Sequence, residues 1–192
     1  MRILPCLVLF AALPAAAQNV RTADRTALMF NLGGIMSSTP TALDGVGVGG
    51  RYFFQENLAL RAALGLGFAT DKQELGSQSS EDSTTTLALE GGLELVLMRA
   101  KSAYLYTGGL LQVGSTSVDP EGGSNNTEGF GVTLAGLLGA SYFLMEGLSV
   151  GAEYRLGLQY GSETQEVGND ERERTTTFFG TGTVGFHLGF WF

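Results

Sequence analysis

The stretch Leu58-Ala59-Leu60-Arg61-Ala62-Ala63-Leu64-Gly65-Leu66-Gly67-Phe68-Ala69 decides how the rest of the chain is read. Leu58, Leu60, Ala62, Leu64, Leu66 and Phe68 form an apolar row, while Ala59, Arg61, Ala63, Gly65, Gly67 and Ala69 are small or charged. A period of two belongs to a strand with different surroundings on its two faces; a helix would group positions three and four apart. The same alternation sets Leu87, Leu89, Leu93, Leu95 and Leu97 against Ala88, Glu90, Gly92, Glu94 and Val96. It returns in Leu148, Val150, Ala152, Tyr154, Leu156 and Leu158 against Ser149, Gly151, Glu153, Arg155 and Gly157.

Eight segments of this kind can be drawn, at about 27–37, 43–54, 57–69, 83–97, 103–116, 129–144, 147–162 and 174–192. The connections alternate in length. Tight turns are expected at Gln55-Glu56-Asn57, at Met98 to Ser102 and at Met145-Glu146-Gly147. The intervening stretches Ser37 to Ala42, Thr70 to Asp82, Ser117 to Glu128 and Glu163 to Glu173 are rich in Gly, Ser, Asn, Asp and Glu and read as solvated loops. Short turns and both termini thus fall at one end of the sheet, long loops at the other. Gly129 to Met145 and Thr175 to Phe192 hold no formal charge, but their Gly and Thr content and their alternation favour strands over membrane helices.

Apolar residues make up 44% of the 192-residue chain, charged residues 16%, and 29 residues are glycine. That composition excludes a disordered chain and a coiled coil. The formal charge of -8 argues against a nucleic-acid partner, which requires basic patches. An outward row of Leu and Val with an inward charged row is the reverse of a soluble ligand-carrying barrel such as a lipocalin. The G-x-W signature of that group is also missing, Trp191 being the only tryptophan. In hydrocarbon an unpaired backbone N–H or C=O costs several kcal/mol, so a sheet can span a membrane only by closing on itself. We therefore expect an all-β fold, an eight-stranded antiparallel up-and-down transmembrane β-barrel. An interior that narrow must be filled by side chains. Parity places Arg51, Arg61, Glu90, Glu94, Glu153 and Arg155 there, three positive and three negative, as a charge network shut away from water requires. Tyr52, Phe54, Tyr142, Phe143, Tyr154, Tyr160, Phe190 and Trp191 lie toward segment ends and are expected to form interfacial belts.

Residues 1–17 carry Arg2, an apolar run from Ile3 to Leu13 and an Ala15-Ala16-Ala17 end, the pattern of a secretory signal peptide cut before Gln18. The expected domains are a signal peptide at 1–17 and a barrel at 18–192. Cys6 is the only cysteine, so an exported mature chain would have neither disulfides nor thiolate chemistry.

At the C-terminus Phe186, Leu188, Phe190 and Phe192 alternate with Gly185, His187, Gly189 and Trp191. This resembles the last strand of Gram-negative outer-membrane barrels and, with the strand and loop layout, the small barrels of the outer-membrane protein A and X type. The resemblance implies residence in the cell outer membrane with periplasmic termini, surroundings of outer-membrane lipid and lipopolysaccharide, and insertion by the barrel-assembly machinery, which reads the closing aromatic residue. It implies no single activity. No peptidoglycan-binding domain follows Phe192, so the anchoring role of two-domain members is not expected.

Some barrels of this size are lipid A deacylases with a His-Ser-Glu arrangement. The only histidine, His187, is followed at the second position by Gly189 and not by serine, so no catalytic residue is assigned. Glu90, Glu94 and Glu153 could suggest a metal or acid–base site, but the arginines on the same row favour a salt-bridged plug; no metal and no cofactor are expected. Asp44 and the runs 71–82, 119–128 and 163–174, each run with a net charge of -3, make the loop end acidic. Asp119, Glu121, Asn125 and Glu128 lack calcium-loop spacing, and Asn125-Asn126-Thr127 is a sequon out of its context. The function expected is a monomeric, non-enzymatic structural or adhesion-like surface protein acting through acidic loops. The alternatives are a narrow pore and, behind it, a lipid A-modifying enzyme.

Overall fold

The computed structural model describes residues 25–32, 46–75, 78–120, 127–167 and 170–192. The expected signal peptide, the loop at Ser37 to Ala42 and Asp44 lie outside them.

Eight strands follow one another: β1 (Thr26–Leu32), β2 (Val46–Gln55), β3 (Leu58–Leu75), β4 (Gln78–Arg99), β5 (Ala103–Pro120), β6 (Thr127–Met145), β7 (Leu148–Val167) and β8 (Asp170–Trp191). Each pairs antiparallel with its neighbour in sequence, and β1 with β8 closes the barrel. No helix is long and apolar enough to cross a membrane among the described residues; the two uncharged stretches lie in β6 and β8.

The period of two becomes a division between outside and inside. Along β4, Leu89 is 54% exposed and its neighbour Glu90 9%; Leu93 and Leu95 are exposed on either side of buried Glu94. A barrel folded around an apolar ligand would show the opposite. The three tight turns fall where expected, between β2 and β3, β4 and β5, and β6 and β7. Gly147 in the last of these has φ of +85°, a left-handed conformation that glycine adopts without penalty.

Two of the expected long loops are not loops. Thr70 to Asp82 continues the β3–β4 ladder until Leu75 faces Gln78, and Glu163 to Glu173 continues β7–β8 until Val167 faces Asp170. Polarity marks these stretches as wetted, but it does not stop their backbones pairing. Their threonines also suit a pleated surface. Ser117 to Glu128 is shortened in the same way, with β5 reaching Pro120 and β6 starting at Thr127.

Phe143 and Trp191 correct a second expectation. Both point into the barrel and are buried, whereas Tyr52, Phe54, Tyr154, Tyr160 and Phe190 are exposed. Phe143 and Trp191 pack at 5.3 Å between ring centroids, Phe53 and Trp191 at 5.7 Å, and Tyr104 lies edge-on to Phe53 at 6.1 Å. Trp191 donates its indole N–H to Ser149 Oγ at 2.8 Å. With Met29 and Val96, these rings close the end of the lumen that carries the termini. Their place next to a strand end fits a belt and a plug equally well; only parity with His187 and Glu153 separates the two.

Backbones approach closely where glycines face inward. A Cβ on Gly157 would stand 2.4 Å from the carbonyl oxygen of Leu134, whereas one on outward-facing Gly91 would meet nothing within 4 Å. Gly157→Ala is therefore expected to destabilise the folded barrel by about 1–3 kcal/mol, as overpacking does, and Gly91→Ala to leave it unchanged. Urea unfolding in lipid vesicles, followed by the mobility difference between folded and unfolded chain on a gel, measures both.

Candidate functional site: the lumenal charge network

The six charged residues that parity turned inward come together midway along the lumen. Arg61 is the hub: its guanidinium lies 2.8 Å from Glu90, 3.1 Å from Glu94 and 2.8 Å from Glu153. Arg51 donates from one terminal nitrogen to Glu94 at 2.9 Å, and its Nε stands 2.7 Å from the other carboxylate oxygen as an ion pair. Arg155 bridges Glu90 at 2.7 Å and also pairs with Glu153. Side-chain exposure runs from 0% for Glu94 to 12% for Arg155, so the network is almost wholly shut off from water.

The arrangement solves a local conflict. Arg51 and Arg61 are direct cross-strand partners on β2 and β3, a placement that repels. Glu94 on β4 accepts a hydrogen bond from each through the same oxygen, at 2.9 and 3.1 Å, and so offsets the repulsion. Tyrosines complete the shell. Tyr106 donates its hydroxyl to Glu153 at 3.1 Å, and its ring lies 4.7 Å under the Arg51 guanidinium, within cation–π range. Arg51 also donates to the Tyr104 hydroxyl.

Glycines give the long side chains their space. Arg61 sits beside Gly92, Glu94 beside Gly108, and Glu153 between Gly139 and Gly185 in the ladder. Tyr106 faces Gly139, and a Cβ there would overlap its ring. The tyrosines were missed at the sequence level, although both lie on the inward row of β5 and the glycines beside them were visible.

His187 does have a serine partner, but not on its own strand. Its Nε2 lies 3.1 Å from Ser141 Oγ, reaching from β8 to β6 across Gly151 of β7, where any Cβ would overlap the imidazole. Ser141 on the same row, with a glycine between, was the available signal. His187 Nδ1 has no hydrogen-bond partner, and both residues are buried, so no acid orients the ring as a Ser-His-acid arrangement requires. Among the described residues no cluster of His, Cys, Asp and Glu could hold a metal ion.

Phe186, Phe190 and Phe192 are exposed on the outer face beside the β1 seam, with Leu188 half-buried on the same row. Phe190 packs edge-on against Phe30 at 5.8 Å.

A closed barrel with lipid-type outward side chains and a neutralised core has a counterpart among known families. The family model for the outer membrane protein beta-barrel domain matches residues 3–192. The chain belongs to that family. As an outer-membrane barrel it is similar in structure to Ail, the attachment invasion locus protein of Yersinia pestis, at 12% identity over 88% of this chain and 94% of that one, with a TM-score of 0.42. CarO of Acinetobacter baumannii is similar at 8% identity, 88% and 98% coverage and a TM-score of 0.45. AlkL is similar at 16% identity, 94% and 95% coverage and a TM-score of 0.43. No curated protein matches the sequence.

The hub position makes a strong prediction for this outer-membrane barrel. Arg61→Met leaves buried carboxylates without their shared partner and is expected to cost about 3–5 kcal/mol. The double variant Arg61→Met/Glu153→Gln restores charge balance and is expected to recover part of that loss, read as a shift of the urea midpoint in vesicles.

Proposed function

We propose that this chain is a sealed outer-membrane barrel whose role lies at the cell surface and not in conduction or catalysis. The observation that carries the reading is the filled lumen: three arginines and three glutamates, each within ion-pair distance of at least one partner of opposite charge, stand above an aromatic floor of Phe53, Tyr104, Phe143 and Trp191. A water-filled pore would need some of this space.

Its orientation follows the rule that short turns face the periplasm and long connections face outward. Both termini then lie in the periplasm, and the signal peptide at 1–17 delivers the chain there. The row Phe186, Leu188, Phe190 and Phe192 is the segment offered to the assembly machinery. Its exposed ring faces support that role. The acidic residues of the β3–β4 and β7–β8 stretches sit on paired strands at the end remote from the termini. A structural or adhesion-like role toward lipopolysaccharide, divalent cations or a basic partner fits that surface, and a monomer suffices for it. The buried Ser141–His187 pair, with no acid on the ring, supports a non-enzymatic reading.

Planar-bilayer recording tests the proposal. The purified protein is expected to insert without current steps, while Arg61→Ala/Glu153→Ala, which empties the centre of the plug, is expected to give small ones. Regular steps from the unaltered protein would replace this reading with the narrow-pore alternative.

A further inference from the structure

Beyond the charge network, toward the end remote from the termini, the described residues leave part of the lumen unfilled. A cavity of about 270 Å³ lies between β5, β6 and β7. At roughly 30 Å³ of liquid per water it holds several waters, or one small ring. We infer that this cup is a binding site for a neutral sugar ring.

The glycines argue first that the space is left open by residue choice and not by backbone crowding. Around the network, Gly92, Gly108, Gly139, Gly151 and Gly157 have no room for a Cβ. In the cup, a Cβ on Gly129, Gly131 or Gly161 would meet its nearest neighbours at 3.6 to 3.9 Å, ordinary contact. Side chains could occupy the cup, and none of the described residues fills it. A fold selected only to plug its lumen would fill these positions as it fills the ones below.

The lining chemistry narrows the ligand. Gln112, Thr133 and Gln159 stand side by side on successive strands, adjoining Glu90 of the network at one end of the row. They offer amide donors, amide acceptors and a hydroxyl, the complement of a ring bearing several hydroxyl groups. Gln112 is buried, so its amide belongs to the cup and not to bulk water. The network beneath is neutral, so the floor attracts neither ion type. The carboxylate of Glu163 stands on the wall and disfavours anions. At the far end of the same row Phe178 faces Gln159 across the β7–β8 ladder, beyond the register shift at Arg155 and Gly157 that puts even positions of β8 opposite the inward row of β7; it is 52% exposed and stands beside the cavity lining, not within it. An aromatic face next to amides and hydroxyls suits a pyranose, which presents C–H groups on one face and hydroxyls at its edge.

Such a ring could come from free saccharides outside the cell or from the core sugars of neighbouring lipopolysaccharide, and both can be offered separately. The full folded protein in detergent micelles, labelled with 15N, is titrated with glucose, maltose, inorganic phosphate and delipidated core oligosaccharide, following the side-chain amides of Gln112 and Gln159. Saturable shifts at millimolar glucose or maltose assign free saccharide as the source, and shifts with the core oligosaccharide alone assign lipopolysaccharide. Thr133→Val and Phe178→Ala are each expected to weaken binding at least fivefold, and Gly131→Leu to abolish it, with folding checked by heat-dependent gel mobility. Should Gly131→Leu fail to fold, Thr133→Val and Phe178→Ala carry the test. The inference is overturned if no sugar gives a saturable shift, if phosphate binds as well as the sugars, or if Thr133→Val and Phe178→Ala leave the affinity unchanged. None of these outcomes depends on whether the barrel conducts.

Discussion

Hydrocarbon offers no hydrogen bonds, and most of this structure follows from that one fact. A backbone passing through it must satisfy its own N–H and C=O groups, and strands do so only when the last returns to the first. The β1–β8 pairing is that return. Closing eight strands leaves a lumen about as wide as the side chains it holds. Whatever faces inward must then fill space and satisfy its own polarity at once. The layering along the lumen answers both demands: aromatic floor, tyrosine and His–Ser collar, charge network, then a polar cup.

A filled lumen does not by itself require charge. Buried ion pairs are often matched or bettered by apolar residues of similar volume, so the network is weak evidence of stability gained. It has a clearer use in specifying faces. If Arg61, Glu90 and Glu94 were leucine, β3 and β4 would be apolar on both sides. A slip of one residue in register would then cost little, because either face could meet lipid. With charge on one row, a slipped strand would drive arginine or glutamate into hydrocarbon. Charge inside therefore acts as a register lock, and the pairing of Arg51 with Arg61 makes the lock depend on a third strand, since Glu94 must be in place before the two can sit side by side.

This logic also explains which features were legible in the sequence. The alternation about Arg61, the three tight turns and the six inward charges follow from parity, which is local. Which glutamate meets which arginine is not local: Arg61 on β3 draws one partner from β7, four strands away in either direction and so across the lumen once the cylinder has closed, and no spacing in the chain encodes that shared hub. Phe143 and Trp191 are not placed by composition, because a strand-end aromatic suits the interface and the plug alike and only parity separates the two. The extended β3–β4 and β7–β8 ladders are hidden for a related reason, as Ser, Asp and Glu report contact with water and say little about whether backbones pair. Ser141 stayed hidden because its partner lies two strands away across Gly151. No spacing along β8 points to it.

Glycine has opposite meanings in the two halves of the lumen. Below, it is forced: Gly151 must be bare for His187 to cross it, and Gly139 for Tyr106 to reach Glu153. Above, at Gly129, Gly131 and Gly161, the backbone would accept a side chain. The same letter on the same inward row thus marks a tight contact in one place and an unfilled one in another, and only the distance from a would-be Cβ to its neighbours separates them. A plug and a cup can share one short barrel because the plug needs little height. The charged residues that seal the lumen span only one to three inward positions on each strand that carries them, from Arg51 on β2 and Arg61 on β3, through Glu90 and Glu94 on β4, to Glu153 and Arg155 on β7. The remaining length of β5, β6 and β7 is freed from sealing and left open to interact with whatever reaches it.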